Sequence, residues 1–189
     1  PSCAELGARV TERLSDVPGA AFLEIKRARK GIVQGDVEAA QVAYCRALAI
    51  DPDEPTAHAE LARIYMLRRD ATAALSEVRA AIRLSPSNRV LSGIEADALA
   101  RLGDHKTARE GWCAEAGVDP SNPRSLPGLA ETFLAQARNQ VRNHAWNEAE
   151  RLYRRAAVLV PDDVRALVGV ARALAQLGEL DRAALWAKA

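Results

Sequence analysis

The residues of this 189-residue chain that could do chemistry are three histidines, three cysteines, a few serines and some acid pairs. A protein metal site needs ligands at close spacing, such as H-x-x-x-H on one helix face or C-x-x-C in a turn. His58, His105 and His144 lie far apart, as do Cys3, Cys45 and Cys113, and no cysteine stands at helical spacing from a histidine. Nucleophilic acyl transfer would call for a G-x-S-x-G elbow, and nucleotide chemistry for a P-loop or a G-x-G-x-x-G turn. None of these occurs. Ser85, Ser87 and Ser121 sit among prolines and asparagines, where turns and caps account for them. Asp162 and Asp163 follow Pro161, where carboxylates suit a helix start. The expectation is therefore no catalytic residue, no metal and no cofactor. An odd, scattered cysteine set is no disulfide framework. Cys45 and Cys113 are expected as buried free thiols, which would fit a reducing compartment.

The elements that would position any site must come from the rest of the composition. Basic and acidic residues number 26 and 25, a net charge of +1, which argues against a nucleic-acid partner. No apolar run approaches the ~18–20 residues of a membrane span, so no direct membrane insertion is expected. Hydrophobic residues make up 49% but aromatics only 4%, so the core must be aliphatic and rich in alanine. That composition favours closely packed helices and is poor strand material. Arginine greatly outnumbers lysine, and with the alanine this reads as a GC-rich bacterial genome. Localisation stays open between cytoplasm and periplasm.

A repeat is visible in the prolines. Pro18, Pro52, Pro86 and Pro120 are each 34 residues apart, and Pro161 follows after 41. Eight residues before the last four stand Tyr44, Val78, Trp112 and Tyr153. Twelve before stand Ala40, Ala74, Ala108 and Ala149, and five before stand Ala47, Ala81, Glu115 and Ala156. Gly35, Gly103 and Gly178 occupy equivalent loop positions, each followed by an acid. Small and large residues at fixed offsets, closed by proline, resemble the tetratricopeptide repeat, a 34-residue helix–turn–helix unit.

The resemblance implies an all-α fold, a right-handed α-solenoid superhelix of antiparallel helix pairs. Its units run 21–54, 55–88, 89–122, 123–163 and 164–189 in one continuous domain. Residues 1–20 would supply the second helix of a truncated preceding unit. Apolar spacing at i, i+3, i+4 and i+7 in each half-unit supports this independently. Two departures stand out. The fourth unit carries seven extra residues within Gln136–His144, about two helical turns, so its first helix should run from about Ser125 to Val141. Trp146 would then either pack under the overhang or form an exposed partner contact. No polar capping helix is visible at either end, although solenoid ends normally carry one. The expectation is a fragment of a larger protein whose terminal helices could form a homodimer.

The resemblance also places a partner. In this family the first helices line a concave groove. Mapped onto this chain, the groove takes Phe22, Ile25, Arg29, Arg63 and Met66 in the first two units, Asp97 and Glu131 in the middle, and Arg165 and Arg172 beyond. No groove position is Lys or Asn, so a lysine–asparagine clamp on a peptide's terminal carboxylate is not expected. The implied function is a non-enzymatic scaffold that binds a peptide or helix of a partner protein. Alternative roles for such arrays are periplasmic assembly or secretion modules and substrate-recruiting superhelices of enzymes.

Overall fold

In the computed structural model residues 19–188 are described, and they are helical with short turns. Ten helices follow in order: α1 (Ala20–Val33), α2 (Val37–Ile50), α3 (Pro55–Leu67), α4 (Ala71–Leu84), α5 (Arg89–Arg101), α6 (His105–Ala116), α7 (Ser125–Arg142), α8 (Trp146–Leu159), α9 (Val164–Gln176) and α10 (Leu180–Ala187). The helix expected before residue 20 lies outside the described residues. Two compact units divide at Ala98 and Leu99, inside α5.

One turn design joins the helices of each pair, and its chemistry is local. A residue in the left-handed region ends the first helix: Gly35, Arg69, Gly103, His144 and Gly178. The next amide reaches back to close the turn. Asp36 N donates to Gly31 O at 2.9 Å, Asp70 N to Tyr65 O at 2.9 Å, and Asp104 N to Leu99 O at 3.0 Å. Ala145 N to Gln140 O at 3.0 Å and Glu179 N to Leu174 O at 2.9 Å repeat the bond. This wide backbone bond after a left-handed residue satisfies carbonyls the helix end would otherwise orphan. Three aspartates then cap the second helix: Asp36 accepts from Ala39 N, Asp70 from Ala73 N and Asp104 from Thr107 N. Ala145 and Glu179 make no side-chain cap. The turn thus stands even where glycine or the capping aspartate is missing.

Between pairs the chain turns over proline. Asn88 accepts from Val90 N, and Asp163 rather than Asp162 caps α9 by accepting from Arg165 N at 2.9 Å. The long helix expected near residues 125–141 is α7, 18 residues against 13 for α3, α5 and α9. Trp146 is half-buried, with its ring edge-on to His144 at 6.0 Å.

Unit 1 is packed on alanine. Ala28, Ala40, Ala43, Ala47 and Ala57 surround Ile25, Tyr44, Leu61 and Ile64. Gly31 lets α1 and α2 close further, since a Cβ there would stand 3.1 Å from Ala40 N. Met66 packs with Ala71, Ala74 and Ala98. In unit 2, Tyr153 and Trp186 cover Val170, Leu174 and Ala183. Trp112 meets Phe133 edge-on at 6.4 Å. The Arg155 guanidinium lies over both rings, 5.6 Å and 5.1 Å from their centres, and pairs with Glu115 at 2.8 Å. A buried cation is tolerated there because the ring faces and a carboxylate replace water.

Cys113 is a buried free thiol whose pKa burial raises, with Asp119 adding to the effect. Cys45 is equally buried but disulfide-bonded. The free-thiol expectation therefore fails at Cys45, and the argument for a reducing compartment goes with it. Among the described residues no helix is long and apolar enough to cross a membrane.

Candidate functional site

The first helices of unit 1, α1 and α3, carry a connected polar cluster. Tyr44 of α2 is buried in the core, but Arg29 of α1 hydrogen-bonds its side chain. Burial raises the Tyr44 pKa, Glu60 of α3 raises it further, and Arg29 opposes both. Arg63 Nε stands 3.7 Å from Glu60 Oε1. Arg29 and Arg63 are thus tied to neighbours through Tyr44 and Glu60, while both side chains stay exposed. Beside Arg63 a cleft of about 260 Å³ opens between α3 and the start of α5. Thr56, Ala59 and Glu60 form one wall, and Val90, Leu91 and Ile94 the other. Phe22 is exposed near the start of α1, with the Lys26 ammonium 5.2 Å from its ring centre.

Not every expected groove residue faces outward. Ile25 is 4% exposed and belongs to the core, and Met66 is 9% exposed against alanines. Neither offers a partner apolar surface. The reason is steric: alanine on the facing helices leaves room that only a longer side chain fills. Asp97 is 7% exposed and already engaged inside the protein, so it is no groove carboxylate. Phe22, Arg29 and Arg63 remain accessible on unit 1. On unit 2, Glu131 of α7 and Arg165 of α9 are exposed but ion-paired to each other. Arg165 also binds Asp163 at 2.7 Å. That bond, followed by the one to Glu131, raises the Arg165 pKa, and Arg165 lowers that of Asp163. Arg172 is exposed on α9. Sequence reasoning missed the cleft itself. Its far wall comes from Val90, Leu91 and Ile94 of the next helix, and of the expected groove residues Arg63 alone lines it.

Pairs of antiparallel helices closed by one repeated turn, with exposed side chains on the first helix of each pair, define a helix-pair repeat protein of the solenoid class. The chain matches the sequence model of the tetratricopeptide repeat over residues 25–89 and 134–189, more than half of its length. It belongs to the tetratricopeptide repeat family, whose members serve as protein-interaction scaffolds. A comparison with curated proteins finds no match. Solved structures share the fold. YrrB, described as a tetratricopeptide-repeat protein with an unusual peptide-binding site, aligns at 17% identity with a TM-score of 0.53, covering 98% of this chain and 90% of its own. MamA from Desulfovibrio magneticus RS-1 aligns at 13% identity and 0.51, covering 89% and 91%. A tetratricopeptide repeat protein from Parabacteroides merdae aligns at 17% identity and 0.52, covering 97% and 69%.

Proposed function

We propose that this chain is a non-enzymatic interaction scaffold that holds a peptide or helix of a partner protein on the first-helix face of unit 1. The observation that carries this reading is the cleft between α3 and α5, apolar on one wall and flanked by an arginine. Ala59 and exposed Val90 would take an apolar side chain of the partner, over a floor of the core residues Leu91 and Ile94. Arg63 shares Glu60 only loosely, at 3.7 Å, so its guanidinium is available for a carboxylate. Phe22 and Arg29 extend the same face along α1. YrrB, of the same fold and described by its peptide-binding site, supports a peptide as the ligand class.

The test is capture. Residues 1–189 are immobilised, lysate of the source organism is passed over them, and retained proteins are identified by mass spectrometry. An Arg63→Glu, Val90→Glu double variant runs in parallel. Both side chains are exposed, so folding should survive the changes. A protein retained by the parent and depleted at least tenfold by the variant is the expected result. Equal retention on both would sink the cleft as the binding site.

A further inference from the structure

A second cleft, of about 460 Å³, lies within unit 2 on a different set of helices. It is lined by α6, α8 and α10, the second helices of their pairs, with contributions from the end of α5 and from Leu167 of α9. It goes beyond the groove of unit 1 and shares no residue with it.

Its lining is strongly biased in charge. Arg101, Arg109, Arg154 and Arg182 face it with His105, and no carboxylate is among its lining residues. Buried Glu150, 2% exposed, bonds Arg101 at 3.3 Å and also bonds Arg154. Arg182 bonds Glu179 at 2.5 Å. These contacts fix the guanidiniums in place before any ligand arrives, which lowers the ordering cost of binding. Arg109 differs from the other three. Its Nε donates to Val158 O at 3.0 Å, and it has no carboxylate partner among the described residues. A backbone carbonyl orients a guanidinium without cancelling its charge. The other wall is apolar: Ala157, Val158, Leu167 and the ring of Trp186, with Arg154 5.7 Å above that ring.

From this geometry we infer that the cleft binds an acidic peptide segment, with a carboxylate on Arg109 and a neighbouring apolar side chain against Leu167 and Trp186. A bare inorganic anion would leave the apolar wall in water and most of the volume empty. A purely apolar ligand would strip water from four guanidiniums without replacing it, which is unfavourable. An acidic residue next to an apolar one satisfies both walls, and the arginine fork matches a carboxylate.

The probe is a fluorescein-labelled octapeptide of alternating leucine and glutamate, titrated into residues 1–189 and followed by anisotropy. A peptide with glutamine in place of glutamate is the control. The glutamate peptide should bind at least tenfold more tightly, and its affinity should fall as salt rises. Arg109→Met and, separately, Arg182→Gln should each weaken it at least fivefold, while Arg109→Lys should retain more affinity than Arg109→Met. Circular dichroism melts establish that each variant is folded. Arg182 makes no contact between α6 and α8, so it keeps the test valid should Arg109→Met unfold. Equal binding of the two peptides, no binding, or unchanged affinity in folded Arg182→Gln would overturn the inference. Displacement of the peptide by equimolar inorganic phosphate would also overturn it, in favour of a simple oxyanion site. Arg63→Glu should leave this titration unchanged, so the two clefts stand or fall separately.

Discussion

His58, one of the three histidines with no metal-ligand spacing, is held by two acceptors. Its Nδ1 lies 2.7 Å from Glu77 Oε2 and its Nε2 3.0 Å from Pro52 O. Two acceptors are best served by two donors, so the doubly protonated ring fits best. The bond to Glu77 accordingly raises the His58 pKa, with burial and Arg83 opposing. A raised pKa means the folded state binds the proton more tightly than the unfolded chain. The stabilisation is full below the ordinary histidine range near pH 6.5 and is lost as pH rises through the higher folded value. Thermal melts between pH 5.5 and 8.5 should therefore show unit 1 weakening toward the alkaline side. His58→Ala should remove that slope and cost about 1–2 kcal/mol at pH 6. A slope unchanged in the variant would contradict this role. The position could be read in the sequence, but the role could not, because Glu77 and Pro52 meet His58 only in the fold. The same holds for Ile25 and Met66. Their register suits either the groove or the core, and the decision rests with alanines on other helices.

At the scale of the helix pair, the sequence was most legible where small residues recur. Ala40, Ala74, Ala108 and Ala149 are all fully buried, as are Ala47, Ala81 and Ala156. Their period shows in the sequence because close helix crossing admits almost nothing larger. The turns were half legible. Three glycines advertise the left-handed residue, whereas Arg69 and His144 adopt the same conformation with no sequence signal and at a steric cost. Gly169 was not singled out, yet it sets how closely α8 and α9 pack. A Cβ there would fall 2.3 Å from the Tyr153 ring. An aromatic ring in a packed interface cannot yield that much freely, so Gly169→Ala should destabilise unit 2 by about 1–3 kcal/mol. Urea denaturation monitored by circular dichroism would measure it. Pairing the change with Tyr153→Leu should recover part of the loss. A neutral Gly169→Ala would mean that the ring has room to move.

For the molecule as a whole, the division inside α5 matters for how it comes apart. Repeat arrays draw stability from each unit and from its nearest neighbours. Leu61 is fully buried in unit 1, and Leu61→Ala should cost about 2–5 kcal/mol. Hydrogen exchange followed by mass spectrometry should show faster exchange in α1 to α4, with α7 to α9 nearly unchanged. Uniform acceleration across all helices would show a single cooperative unit instead. The period of 34 made the helix pairs legible, but it is blind to such a division, because each repeat looks locally like the next.

The placement of the indoles has a spectroscopic consequence. All three tryptophans, Trp112, Trp146 and Trp186, fall in unit 2, whereas the aromatic residues of unit 1 are Phe22, Tyr44 and Tyr65. Trp112 is 1% exposed under the Arg155 guanidinium, so its emission should shift to the red when that half opens to solvent. Intrinsic tryptophan emission is therefore a reporter for one half of the molecule. A fluorescence melt would record the loss of residues 99–188 and pass over the half that carries Arg63.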